Sequence, residues 1–213
     1  PAAAAMRGNL AMCLLDMARP EEAMETLREG LFIDPAEPSL RASLPFVMNY
    51  LPDPSPQELL AAHRRLGESL PDESGMPELK HSREPERRLR VGFLSPDFRE
   101  HSVAYFAQSL LGRLDRASFD LVAFPLNRAE DAMSARLKAL CGDSPAAWRP
   151  VGPLGEEALV REIRAQRIDI LVDLAGLTSG HRAPALARRA APVQVTAIGY
   201  PSTTGVPAID YRL

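Results

Sequence analysis

The chain has 213 residues, 46% apolar and 25% charged, with a formal net charge of -3. That length supports one large domain or two small ones with a sizeable core, and the composition excludes a wholly disordered chain. No apolar run approaches the roughly 18–20 residues that span a bilayer, so no membrane partner is expected, and the slightly acidic balance argues against a nucleic-acid binder. No segment has the layout of a secretion signal, while the opening PAAAAM reads as a cut that leaves a removed leader open. Cys13 and Cys141 match neither a metal spacing nor a disulfide framework, which points to a reducing, cytoplasmic compartment. Lys80 and Lys138 are the lysines among 25 basic residues. The arginine excess fits GC-rich coding as well as an anion-binding surface.

The first part is expected to be helical. Residues 6–17 are continuous helix-former sequence. After the turn Ala18-Arg19-Pro20, with Pro at a tolerated first helical position, residues 21–33 are amphipathic, and Asp34-Pro35 stops them. Small residues at Ala11, Ala23 and Gly30 let two antiparallel helices approach closely. With the closing Pro35 this pattern resembles one tetratricopeptide repeat, placed at residues 1–37. Such units need neighbours, so the chain start is expected to truncate a longer array. A helical connector follows over 38–80. It holds a helix at 38–50, which Pro45 should break or restart, and a helix at 56–70 with Ser55 and Glu58 as a capping box. Residues 71–88 lack apolar periodicity and are expected to be an exposed linker.

From residue 89 short apolar runs alternate with helical stretches. Strands are expected at 89–94, 119–124, 146–151, 168–174 and 193–200, with helices at 102–114, 131–140, 156–167 and 183–189. This alternation predicts an α/β fold, a Rossmann-like parallel sheet covered on both faces and occupying residues 87–213. The chain end has no stop signal and is expected to fall partway through a larger protein.

Ligands of such sheets bind beyond the carboxyl ends of the strands, which leaves three loops. The first is Ser95-Pro96-Asp97-Phe98-Arg99-Glu100-His101-Ser102. His101 falls at a helix start, where free N–H groups and the dipole suit phosphate and keep an imidazole neutral. Asp97 and Glu100 act in the opposite direction. From spacing alone the loop is equally a site or a satisfied helix cap. The second loop is Ala175-Gly176-Leu177-Thr178-Ser179-Gly180-His181, and the third runs from Gly199 to Gly205. No Gly-x-Gly-x-x-Gly or P-loop follows the first strand, so a dinucleotide oxidoreductase or P-loop ATPase is disfavoured. Asp169 and Asp173 share a strand face and suit edge or cap roles better than a metal site. Trp148 is expected in the core. His63, on the Ser55-capped helix, packs or faces solvent as readily as it acts.

Leu89-Arg90-Val91-Gly92-Phe93-Leu94-Ser95-Pro96-Asp97-Phe98, with His101 after it, resembles the start of the catalytic region of O-linked N-acetylglucosamine transferases and their SPINDLY relatives. Ala191-Pro192-Val193-Gln194-Val195, leading to Gly199-Tyr200-Pro201-Ser202-Thr203-Thr204-Gly205 and Asp210-Tyr211, resembles a second stretch. Asn49-Tyr50 and the helix from Glu58 to Gly67 resemble the segment that joins the family's repeats to its catalytic lobes. The short repeat region looks bacterial in type.

The resemblance implies a two-lobed GT-B glycosyltransferase, of which this chain holds the N-terminal lobe and the repeat tail. It implies UDP-GlcNAc as donor, or GDP-fucose in SPINDLY-type members, and Ser or Thr hydroxyls of a protein as acceptor, engaged through the repeat groove. It also implies inversion and no cofactor or metal. His101, Asp97 and His63 carry over as catalytic residues, and Ile198, Gly199, Tyr200 and Pro201 as lining the sugar side of the donor. Where animal members follow the cleft His with Pro-Thr, this chain has Ser102-Val103. The rival expectations are a non-catalytic, repeat-mediated interaction module and a coincidental nucleotide-binding sheet.

Overall fold

The computed structural model describes residues 2–71, 81–82 and 84–213. Most of the expected 71–88 linker therefore lies outside the described residues. The chain forms two compact units. One comprises residues up to Ser69 together with Pro201–Val206, and the other comprises Leu70–Tyr200 together with Pro207–Leu213.

The first unit is helical: α1 (Ala2–Asp16), α2 (Pro20–Ile33), α3 (Pro38–Met48) and α4 (Pro56–Ser69). Ala4, Ala11, Ala23, Met24, Leu27, Leu40 and Val47 form its core. Gly30 packs against Leu40 so closely that a Cβ would sit 2.7 Å from its side chain. Pro45 does not break α3, which runs through it. The ring is buried, as are Leu40 and Val47 on the same helix, and a proline three residues from a helix end removes only one backbone bond. Asn49 Nδ2 donates to the Pro45 and Phe46 carbonyls at 2.9 and 3.2 Å. At α4 the Glu58 N–H donates to Ser55 Oγ at 3.4 Å, as the capping pattern implies.

The second unit is a parallel sheet of β1 (Leu89–Ser95), β2 (Phe119–Pro125), β3 (Ile170–Asp173), β4 (Val193–Thr196) and β5 (Tyr211–Arg212), in the order β2-β1-β3-β4-β5. Helices α5 (Ser102–Arg113), α6 (Ala132–Cys141), α7 (Glu156–Ala165) and α8 (Ala183–Ala187) complete it. Val91 and Phe93 pack with the α5 and α6 residues Leu111, Met133 and Leu137. Leu94, on the opposite face, packs with the α7 and α8 residues Leu159, Ile163 and Leu186. Period-two alternation thus fills both layers from one strand.

The strand expected at 146–151 is replaced by a single bridge, Trp148 to Ala123. Val151 N–H donates to the Pro125 carbonyl at 2.8 Å, but Pro125 has no N–H to return, so the ladder stops. The fifth strand is instead β5, paired with β4 through Val195 and Tyr211. Trp148 is buried, lies 5.6 Å from Phe98 between ring centroids, and donates its indole N–H to Glu130 at 2.7 Å.

At the amino end of β3, Asp169 accepts from both terminal nitrogens of Arg87 at 2.7 and 2.6 Å and from Arg90 N–H at 2.8 Å; His81 Nδ1 lies 2.6 Å away. Burial pushes this carboxyl up, but these partners outweigh burial and hold it at about 2, against an ordinary 3.8. Its folded value lies below the unfolded one, so the stabilisation is present above pH 3.8 and is lost as pH falls through 2. Unfolding free energy should therefore drop by about 2.5 kcal/mol across that window. Denaturant titrations at stepped pH measure it, and Asp169→Asn should flatten that part of the curve.

Candidate active site

All the paired strands are parallel, so the loops after β1, β3 and β4 leave the same edge of the sheet. Three close approaches join them. A Cβ on Gly180 would lie 3.0 Å from Pro96 Cβ, one on Gly176 2.3 Å from Tyr200 Cβ, and one on Gly199 1.9 Å from the Leu174 carbonyl oxygen. The rim therefore gathers Asp97, His101, Ile198, Gly199 and Tyr200 on adjacent loops.

The β1 loop is held from below. Ser95 Oγ accepts from Asp97 N–H at 3.0 Å. Asp131 caps α6 in a capping box with Ser134, and its other carboxylate oxygen accepts from Glu100 N–H at 2.7 Å. Ser134 Oγ donates to the Phe98 carbonyl at 2.6 Å. The backbone N–H donors of Glu100 and Ser134 hold the Asp131 carboxyl below its ordinary value. These positioning contacts span more than thirty residues of sequence, and the capping signature Asp131-x-x-Ser134 was their one local signal.

His101 is the N-cap of α5: its Nδ1 accepts from Val103 N–H at 3.2 Å. That bond requires an unprotonated Nδ1, so the ring proton of the neutral imidazole sits on Nε2. Asp97 is buried, and its Oδ2 lies 3.7 Å from His101 Nδ1, within ion-pair reach but beyond a hydrogen bond. Arg99 approaches the other carboxylate oxygen at 3.5 Å. The site and cap readings of His101 are thus compatible: capping fixes the tautomer and leaves a donor at Nε2.

The β3 loop begins at Asp173, which is 1% exposed. Its carboxylate accepts from Ala175 N–H at 3.1 Å, Gly176 N–H at 2.8 Å and Thr196 Oγ at 3.1 Å. Burial pushes it up to about 6 against the pull of those donors. His181 stands one residue ahead of Arg182, the N-cap of α8, and its Nδ1 accepts from Ala183 N–H at 3.3 Å. Burial and then the neighbouring Arg182 lower its pKa.

In the β4 loop Gly199 N–H donates to the Ala197 carbonyl at 2.8 Å, and Ile198 between them has φ +67. Ile198 is 42% exposed and Tyr200 is buried. The expected sugar-side stretch divides after Tyr200, because Pro201 belongs to the helical unit.

His63 also belongs to the helical unit. It is fully buried, and its Nδ1 lies 2.7 Å from the Leu59 carbonyl oxygen. A carbonyl only accepts, so Nδ1 carries the proton and the lone pair lies on Nε2, the reverse of His101. Burial lowers its pKa, opposed by that hydrogen bond. Among the described residues no group of three or more His, Cys, Asp or Glu is placed to hold a metal ion, and no helix is long and apolar enough to cross a membrane.

The chain is 35% identical over 184 residues to a probable UDP-N-acetylglucosamine–peptide N-acetylglucosaminyltransferase SPINDLY of Petunia hybrida, covering 86% of this chain and 20% of that protein. It is 33% identical over 125 residues to the UDP-N-acetylglucosamine–peptide N-acetylglucosaminyltransferase of Caenorhabditis elegans, covering 59% of this chain and 11% of that protein. A solved structure of a mutant O-GlcNAc transferase from Thermobaculum terrenum superposes with a TM-score of 0.91 at 31% identity, over 100% of this chain and 40% of the other. The chain thus spans about a fifth of the SPINDLY relative's length. Glycosyl transferase family 41 matches residues 75–213, the sheet unit with its three-loop rim, and the chain belongs to that family.

Proposed function

We propose that the protein carrying this chain transfers N-acetylglucosamine from UDP-GlcNAc to Ser or Thr hydroxyls of proteins, with inversion and without a metal. The observation that carries this reading is the convergence of the β1, β3 and β4 loops, which sets Asp97 and His101 on one rim with Ile198 and Gly199. Family membership supports the reaction class. Inversion and metal independence rest on the family resemblance alone.

The acceptor hydroxyl oxygen forms a bond to the anomeric carbon from the face opposite the diphosphate. The bond from that carbon to the diphosphate oxygen breaks, and UDP departs with its electron pair. The hydroxyl proton must leave as attack proceeds. In this rim the Asp97 carboxylate is an acceptor, and His101 Nε2–H is a donor able to orient the hydroxyl or meet developing charge on the leaving group. His63, in the helical unit, carries over as a catalytic residue from the family resemblance alone. Ile198 and Gly199 line the sugar, with the buried Tyr200 beneath them. The acceptor protein engages the helical unit, where Leu31, Pro35, Arg41, Leu44 and Leu66 line a cavity of about 410 Å³.

The second reading, a GDP-fucose-dependent protein O-fucosyltransferase, draws on the SPINDLY relatives. Calorimetric titration of the full-length protein separates the two. UDP-GlcNAc should bind at least tenfold tighter than GDP-fucose, and UDP release should rise on adding acceptor protein. The opposite preference selects fucose. Binding without turnover on either donor selects an interaction module.

A further inference from the structure

The geometry points to Asp173 as a positioning residue of the rim: its buried carboxylate holds the β3 and β4 loops so that a strained turn at Ile198 keeps the aim transfer requires. The inference rests on the proposed transferase reading and deepens it.

The hydrogen bond from Gly199 N–H to the Ala197 carbonyl, with Ile198 at φ +67, defines a γ-turn of the positive-φ kind, which is rare and strained. A β-branched residue is among the least suited to that region. The turn is nonetheless solvent-facing, so core packing of the Ile198 side chain does not explain it. Strain of this kind persists only where the surroundings over-determine it, and it clusters at ligand sites.

The surroundings here converge on one group. Asp173 takes Thr196 Oγ, the last residue of β4 and two before Ile198, and the N–H groups of Ala175 and Gly176. Gly176 in turn lies under Tyr200, two residues after Ile198. The backbone of Asp173 joins in, its carbonyl accepting from Ala197 N–H at 2.9 Å. Both flanks of the turn are therefore tied, directly or through Gly176, to this residue. Only a carboxylate offers an acceptor on both sides. In an asparagine, either orientation of the amide sets an NH2 group against a backbone N–H.

A double-mutant cycle on the full-length protein tests this. Asp173→Asn and Ile198→Gly should each lower kcat/KM for sugar transfer by about tenfold or more. The double variant should lose no more than the worse single one, since both remove the same constraint. Ile198→Gly should leave Tm equal to or above wild type, because glycine relieves the positive φ. If Asp173→Asn does not fold, Ile198→Gly decides: kcat/KM must fall while Tm does not. Multiplying losses, or Ile198→Gly within twofold of wild type, overturns the inference alone. A wild-type protein that transfers no sugar overturns the transferase reading and this inference with it.

Discussion

Replacing His101 by alanine in the full-length protein should lower the proposed sugar transfer by about 10²- to 10⁴-fold, the usual contribution of a positioned proton-handling group, while the sheet unit stays folded. The structural cost is confined to the α5 cap: Val103 N–H loses its acceptor, worth about 1 kcal/mol. His101→Asn separates the two roles, because asparagine is a good N-cap without an imidazole. It should restore the melting temperature and leave transfer as low as in the alanine variant. Transfer within twofold of wild type in His101→Asn would reduce His101 to a helix cap. Steady-state UDP release with an acceptor protein, beside a thermal melt, gives both readings.

Gly205→Ala should destabilise the helical unit by about 2–5 kcal/mol. Two penalties coincide there. Gly205 has φ +72, and a Cβ would stand 1.9 Å from the His63 carbonyl oxygen, inside any permitted contact. The left-handed conformation alone costs about 1–2 kcal/mol for an L-residue, and forcing backbone apart in a packed region adds about 1–3 kcal/mol. Ala18→Gly is the control, since Ala18 holds a positive φ of 56 in the same helical unit. It should gain up to about 1–2 kcal/mol, the conformational part alone. Chemical denaturation followed by circular dichroism at the helical signal compares the pair, and a Gly205→Ala loss no larger than the Ala18→Gly gain would show that the close approach to His63 adds nothing.

The parts of the fold that were legible from sequence are those written locally. The apolar run of β1, the alternation of its two faces, the Ser55 cap and the helix start at His101 each follow from neighbouring residues. What was not legible depends on partners far along the chain. Residues 146–151 look like a strand, and only their placement beside Pro125, which cannot donate, reduces them to a bridge. β5 is two residues long and exists because Tyr211 meets Val195. Pro45 signals a break, but a buried ring near a helix end outweighs one missing bond.

The candidate site divides the same way. Asp97, His101 and Gly199 are marked as candidates by the rule that ligands bind at strand ends, together with the resemblance. The positioning roles of Asp131, Ser134 and Asp173 are not legible in sequence because one partner of each lies on another element. The tautomers of His63 and His101 follow from hydrogen bonds that spacing does not reveal. No residue pattern marks Ile198 as strained, since isoleucine is the last type expected at positive φ.

Residues 201–206 depart from the sheet rim, join the helices through Ser202 to Asn49 and through Gly205 to His63, and then return toward β5. The helical unit is therefore discontinuous in the gene. A chimera that exchanges residues 1–69 between relatives at a single crossover would seat a foreign helix against the resident 201–206 segment, where Gly67 leaves no tolerance for a misfit of even one methyl group. Recombination between members of this family is accordingly expected to survive only when both pieces of the helical unit travel together.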